Sequence, residues 1–145
     1  LDGDELGGQA LLGYLTGSID LTFRHQGKFY VVDYKTNWLG PSDAELTLAD
    51  YAPARLAEAM THSTYPLQAI LYSVVLHRYL RWRLPAYDPD EHLGGVMYLY
   101  LRGMAGPDTP LVDGHPCGVF SWRPPSAMLE DLSAVLDGRT REEAR

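Results

Sequence analysis

The sequence has a single cysteine, Cys117, among its 145 residues. That excludes an internal disulfide, a four-cysteine zinc site and a cysteine-ligated iron–sulfur cluster. One free thiol fits a reducing compartment, and a cytoplasmic location is the expectation. No apolar run approaches the roughly 20 residues that cross a bilayer, and no signal-peptide pattern is present, so no membrane partner is expected. Positive charge is scarce. Twelve Lys and Arg stand against 19 Asp and Glu, giving a formal net charge of −7, which argues against a general nucleic-acid-coating protein. His25, His62, His77, His92 and His115 are scattered, with no i,i+4 pair for zinc. Internal repeats and low-complexity tracts are absent.

What is present is globular: 46% apolar and 21% charged residues, at a length suited to one domain and one core. The chain opens at Leu1 and not at methionine, and a piece of a longer protein is expected. The only stretch with a positive balance is 63–102, where Arg78, Arg81, Arg83 and Arg102 face Asp88, Asp90 and Glu91.

Residues 1–12 are rich in Gly and Asp and predict an irregular lead-in. From 14 to 23 the chain alternates, with Leu15, Gly17, Ile19, Leu21 and Phe23 on one side. Period two predicts a half-buried strand. A polar turn around Gln26-Gly27 leads to a second strand, 29–35. A loop is expected over 37–50, then a short helix from Pro53 with Leu56, Ala57 and Met60 as its apolar stripe. The clearest helix runs from 66 to 82, with Leu67, Ile70, Leu71, Val74, Val75 and Leu76 making a broad apolar side. Strands at 96–102 and 117–123 follow. A final helix then places Met128, Leu129, Leu132, Val135 and Leu136 inward, with Gly138 as its stop. The order predicts an α/β domain, a mixed β-sheet flanked by helices.

Two carboxylates stand out. If the hairpin turns between Gln26 and Gly27, paired residues have numbers summing to 53, and Asp20 lies opposite Asp33. Side chains so placed have Cβ atoms roughly 4.5–5.5 Å apart, and like charges there are unfavourable. A divalent cation bound at about 2.0–2.5 Å by both resolves the repulsion. Lys35 is two residues beyond Asp33, so its ammonium leaves the same face. Two acids and a cation beside a metal can hold a water, assist its deprotonation and stabilise charge on a phosphoryl group. The plainer alternative is a salt-bridged pair at the end of a hairpin. Both aspartates being embedded in apolar strands weighs against it.

Gln68 and Tyr72, four apart, share one face of the 66–82 helix. An amide beside an aromatic hydroxyl can orient a lysine or a phosphate; equally, Tyr72 can be a core residue and Gln68 a solvated one. Asn37 and Trp38 follow the active strand, and an indole face can stack on a base, with core burial of Trp38 as the alternative. Arg78 and Arg81 are DNA-contact candidates or a solvated helix end. Ser18 shares the face of Asp20 and can hydrogen-bond Lys35. His77 is expected to be packed or solvated, and Gly94-Gly95 does not fit a phosphate loop.

Ile19-Asp20 followed by Asp33-Tyr34-Lys35 resembles the core motif of the PD-(D/E)xK nucleases. The likeness extends through Gly17-Ser18-Ile19-Asp20-Leu21-Thr22-Phe23, Asp33-Tyr34-Lys35-Thr36-Asn37-Trp38, Tyr65-Pro66-Leu67-Gln68 to Tyr72, Leu76-His77-Arg78-Tyr79-Leu80 and Gly94-Gly95-Val96-Met97-Tyr98-Leu99. This ordered set is similar to the C-terminal nuclease domains of the RecB family over about residues 13–145. The resemblance implies one nuclease domain over 1–145, with a restriction-endonuclease-like core truncated at its N-terminus. Within it, 13–35 would be the catalytic hairpin, 66–82 the Gln/Tyr helix and 94–145 the remaining strands and last helix.

The implied activity is that of a Mg²⁺-dependent deoxyribonuclease of exodeoxyribonuclease V type, in double-strand-break repair and recombination. Mn²⁺ or Ca²⁺ would occupy the same site. Asp20, Asp33 and the Tyr34 backbone carbonyl would hold the metal, Lys35 would orient or activate water, and Gln68 and Tyr72 would complete the catalytic set. The implied partners are DNA and the RecC and RecD subunits. The family commonly adds an upstream His or Glu ligand, and the only acids before Asp20 are Asp2, Asp4 and Glu5. A module that docks RecA or other subunits, with weak or no nuclease activity, is the alternative reading. A nuclease from another RecB-like helicase is a further one.

Overall fold

Gln26 and Gly27 both take positive φ, 48° and 82°, the primed turn whose twist matches that of two antiparallel strands. The computed structural model describes residues 16–138. The turn joins β1 (Leu21–His25) to β2 (Lys28–Lys35) in the register expected from the sequence, Leu21 opposite Val32 and His25 opposite Lys28. The first strand is shorter than the alternation predicts. Residues 16–19 are irregular and Asp20 sits at a bend; residues 1–15, which hold the lead-in and the start of the predicted strand, lie outside the described residues. All of β1 is exposed, as suits an edge strand, so its alternation does not mark a buried face.

The loop after β2 closes with a 3₁₀ turn, Leu48–Tyr51, and leads to α1 (Pro53–Thr61). Leu56 and Met60 are buried and Ala57 is exposed, so the α1 stripe is narrower than expected. Next comes α2 (Tyr65–Arg83), with Ala69, Ser73, Val74, Leu76, His77 and Leu80 buried. Leu67 and Val75, expected inward, are exposed at 59% and 55%. They line an open groove with Leu71, Ile19 and Leu136. The helix is apolar on two sides, and only one of them faces the core.

A short α3 (Pro89–His92), unforeseen from the sequence, is capped by the Asp88 carboxylate. It leads to β3 (Leu93–Tyr100), which pairs in parallel with β2. The strand starts earlier than predicted because it includes Gly94 and Gly95. Gly94 is passed over in the register, which moves from Phe29–Leu93 to Tyr30–Gly95, so it acts as a bulge. Gly95 has φ +116°, and a Cβ there would lie 2.6 Å from the Trp122 carbonyl. A small hairpin, β4 (Leu111–Val112) and β5 (His115–Pro116), and then β6 (Val119–Trp122) follow. The predicted strand at 117–123 thus keeps only its centre. The main sheet runs β1-β2-β3-β6, with antiparallel pairs at its sides and the parallel pair in the middle. This is the expected mixed sheet flanked by helices. Finally α4 (Ser126–Leu136) buries Leu129, Ser133 and Ala134. Val135 and Leu136, also expected inward, are exposed.

His77 is 2% exposed. Its Nδ1 meets the Tyr87 hydroxyl at 3.0 Å, and its Nε2 is buried without a partner. Burial, then the Arg81 and Arg78 guanidiniums, hold its pKa below the usual histidine value. The unfolded chain therefore takes up a proton near pH 6.5 that the fold refuses. Stability should be complete above about pH 6.5 and fall as pH drops, by at most about 1.4 kcal/mol per pH unit. His77→Phe keeps a ring and cannot titrate, so unfolding midpoints at pH 8 and pH 5.5 should differ less in the variant. An unchanged difference would remove His77 as the cause.

Candidate active site

Side chains two apart on a strand share a face, so β2 presents Asp33 and Lys35 together. Lys35 Nζ lies 2.6 Å from Asp33 Oδ2, with only 11% and 7% of the two side chains exposed. Such a pair survives burial only if further partners satisfy it. Those partners come from β3 and α2. In the parallel register Asp33 aligns with Tyr98 and Lys35 with Tyr100, both fully buried. The Tyr98 hydroxyl is held well above the usual tyrosine range by burial first and by the Asp33 carboxylate next. It is therefore a hydrogen-bond donor throughout the physiological range. Burial likewise pushes Tyr100 up to about 12.

Gln68 is the hinge of the network. Its Oε1 accepts from Lys35 Nζ at 3.2 Å and lies 3.1 Å from the Tyr98 hydroxyl. Its Nε2 donates to the Tyr72 hydroxyl at 3.0 Å, and Tyr72 donates in turn to the Ser18 carbonyl. An ammonium has no acceptor, so the atom beside it must be the amide oxygen, and the direction of the chain is fixed. The expected pairing of Gln68 with Tyr72 is present, and it reaches both Lys35 and the segment that carries Asp20. Ser18 takes part through its carbonyl, which receives Tyr72 and not Lys35.

Asp20 is exposed and meets the strand that carries Asp33 and Lys35 at the Tyr34 backbone. The hairpin register would give the Tyr34 N–H to the Ile19 carbonyl. Instead it donates to Asp20 Oδ2 at 3.0 Å. The carboxylate replaces a ladder bond, which is why β1 starts only at Leu21. Asp20 and Asp33 each keep Oδ1 outside any hydrogen bond among the described residues. Two hard oxygen donors, Asp33 on β2 and Asp20 at the bend before β1 and beside the Tyr34 backbone, suit a Mg²⁺-like ion. Among the described residues no group of three or more His, Cys, Asp or Glu side chains converges. Asp2, Asp4 and Glu5 lie outside them.

The remaining candidates sit at different distances. Asn37 is exposed just beyond β2; its carbonyl accepts from Tyr51 at 2.7 Å and its Oδ1 from Tyr65 at 3.2 Å. Trp38 is 51% exposed and not a core residue. Its Nε1 donates to the Pro41 carbonyl, and the Arg102 guanidinium lies 6.0 Å from its ring. Arg78 and Arg81 are not brought to the cluster. Ten and 13 residues along α2 from Gln68, they stand about 15 and 20 Å away, and Arg78 is paired with Asp137 at 2.6 Å. Sequence reasoning missed Tyr65 and Tyr98. Tyr65 lies three residues before Gln68 on the same helix face, a spacing that was available as a signal; Tyr98 depended on the β2–β3 register.

No protein-family model matches the chain. It does align with curated RecB proteins, each described as RecBCD enzyme subunit RecB. That of Mycolicibacterium smegmatis is 63% identical over 132 residues, 91% of this chain and 12% of that protein. The Mycobacterium tuberculosis H37Rv protein is 59% identical over 133 residues, again 91% and 12%. The Escherichia coli K12 protein is 41% identical over 133 residues, 91% of this chain and 10% of its own length. These alignments extend over 91% of the chain, well beyond the stretches that hold Asp20, Asp33, Lys35, Gln68 and Tyr72, while the chain spans about a tenth of the length of the relatives. It is a homologue of one segment of the RecB subunit.

Proposed function

We propose that this chain is the metal-dependent nuclease domain, C-terminal in its parent, of a RecB subunit. It hydrolyses DNA phosphodiester bonds as part of a RecBCD-type exodeoxyribonuclease V in double-strand-break repair and recombination. Its mixed sheet is the centre of a restriction-endonuclease-like core of the PD-(D/E)xK kind. RecC and RecD are its partners in the complex that the relatives' names describe. The observation that carries the reading is the joining of Asp33, Lys35 and Gln68 into one part-buried network, with Asp20 held against the Tyr34 N–H between Asp33 and Lys35. A cluster needed only for stability gains little from a second carboxylate beside it.

Asp20, Asp33 and the Tyr34 carbonyl would hold Mg²⁺; Mn²⁺ or Ca²⁺ would take the same oxygens. A bound Mg²⁺ supplies Lewis-acid polarisation of the phosphate and a water of lowered pKa. Asp33 anchors the Lys35 ammonium, Gln68 sets its direction, and Lys35 places a positive charge where the phosphoryl oxygens gain negative charge. Tyr72 fixes the amide of Gln68 and restrains the turn before Asp20. The net charge of −7 gives few cations for phosphate neutralisation, so delivery of the strand by the parent complex replaces intrinsic affinity.

The test is cleavage of end-labelled single-stranded DNA by this chain with Mg²⁺, with Mg²⁺ plus EDTA, and with Ca²⁺. Shortening of the strand in Mg²⁺ alone is the expected result. Cleavage that persists in EDTA, or no cleavage together with no divalent-ion binding by calorimetry, overturns the reading.

A further inference from the structure

Lys35 Nζ has two oxygen neighbours, Asp33 Oδ2 at 2.6 Å and Gln68 Oε1 at 3.2 Å. It also has two aromatic ones: it lies 3.8 Å from the centre of the Tyr65 ring and 5.0 Å from that of Tyr98. The rings are stacked on each other with centroids 5.7 Å apart and planes at 23°. We propose that Tyr65 and Tyr98 are positioning residues for Lys35: the Tyr65 ring seats the ammonium, and the Tyr98 hydroxyl fixes the Gln68 oxygen that directs it. This rests on the nuclease reading, in which Lys35 acts on water and phosphate.

A lysine side chain is a long flexible stem with a compact charge at its end. The close ion pair with Asp33, at 2.6 Å, holds that charge from one side only. A π face attracts the cation by its quadrupole while carrying no net charge. The seat therefore holds the ammonium without neutralising it. It also offers no lone pair to the N–H groups. An ammonium has three N–H donors; Gln68 Oε1 accepts one and the Asp33 carboxylate pairs with the charge, which leaves N–H capacity for a phosphate oxygen or a water.

The seat is itself fixed at both ends. The Tyr65 hydroxyl donates to Asn37 Oδ1 at 3.2 Å, just beyond the strand that carries Lys35. The Tyr98 hydroxyl lies 3.1 Å from the Tyr65 carbonyl and 3.1 Å from Gln68 Oε1, with one proton to divide between them. Tyr98 thus touches both the ring that seats the lysine and the amide that aims it.

Three variants separate these parts. Tyr65→Phe keeps the ring but loses its bond to Asn37, so kcat should fall by about 2- to 3-fold, less than in a variant without the ring. Tyr65→Leu keeps an apolar body without a π face, and kcat should fall about 10-fold with KM within about 2-fold, the scale of losing a partner that orients a site residue. Tyr98→Phe keeps the ring and loses the hydroxyl, for a fall in kcat of roughly 5-fold. In a Lys35→Ala background Tyr65→Leu should cause no further loss, because it acts only through the lysine. A merely structural role would lower both backgrounds alike, and that result overturns the proposal.

A second readout needs neither metal nor DNA. The Lys35 ε-methylene protons should show an upfield ring-current shift by NMR that survives in Tyr65→Phe and shrinks in Tyr65→Leu to what the more distant Tyr98 ring supplies. If the parent cuts DNA and Tyr65→Leu matches its kcat, the seat alone is wrong. A parent that neither cuts nor binds a divalent ion overturns the nuclease reading, and the Lys35 resonance then decides the seat by itself: no ring-current shift overturns it.

Discussion

Asp33→Asn should abolish Mg²⁺-dependent cleavage and destabilise the fold, while Asp20→Ala should abolish cleavage at almost no cost in stability. Both aspartates are proposed metal ligands, and each loss should exceed about 100-fold in kcat, since even the outer partners of a metal site are worth 10- to 100-fold. Their structural surroundings differ. Asp20 is exposed and accepts one backbone N–H, from Tyr34. That N–H can turn to water or to the Ile19 carbonyl, so the cost is near the usual 1 kcal/mol of one hydrogen bond. Asp33 is buried and is the counter-charge of an ammonium whose side chain is only 11% exposed. Removing one partner of such a pair strands the other, at about 3–5 kcal/mol, a large part of the 5–15 kcal/mol that holds a typical domain together. From the sequence alone, losing either aspartate promises relief of like-charge repulsion. In the fold Lys35 already offsets the charge of Asp33, so that relief is not expected there. Denaturant midpoints and cleavage rates with Mg²⁺ check both halves. Asp20→Ala cutting at the parental rate would sink the site assignment.

The parts of the site that were legible in the sequence are those fixed by local chain geometry. The hairpin register follows from the Gln26-Gly27 turn as far as Leu21 opposite Val32, and Asp33 and Lys35 follow from strand alternation; Asp20 falls just outside β1, at a bend, and meets β2 through the Tyr34 N–H. Gln68 and Tyr72 follow from helical spacing. What was not legible depends on the crossover from β2 to β3, whose register sets which side chains lie under Lys35. Nothing local to 93–100 says that Tyr98 aligns with Asp33, because 57 residues separate the strands and a glycine bulge shifts the pairing. Errors over α2 have a different origin. Leu67, Leu71 and Val75 are as apolar as Val74 and Leu76, and periodicity cannot tell an apolar side that meets the core from one that borders a groove. The same holds for Val135 and Leu136 on α4. The early start given to the first strand reflects a side chain competing with the backbone: Asp20 takes the N–H that would have extended the ladder.

Lys35→Ala should leave the fold with a metal site and without efficient chemistry. The ammonium lies 2.6 Å from Asp33 Oδ2 and so competes with any cation for that carboxylate. Removing it should leave Mg²⁺ affinity unchanged or raise it, while kcat falls by about 100-fold or more, the scale for loss of one preorganised group that stabilises developing charge. Lys35→Arg should not restore the rate. Its planar guanidinium is wider than an ammonium, and the space between the Asp33 carboxylate, Gln68 Oε1 and the Tyr65 ring is set by contacts of 2.6, 3.2 and 3.8 Å. Stability should fall in Lys35→Ala, since Asp33 is left buried without its partner. Bound Mg²⁺ should recover part of it by binding the fold and not the unfolded chain. The thermal midpoint of Lys35→Ala should therefore rise more on adding Mg²⁺ than that of the parent. Calorimetry and melting curves with and without Mg²⁺ read both effects. If Lys35→Ala loses Mg²⁺ binding as completely as Asp33→Asn, the division of labour between carboxylates and lysine is wrong.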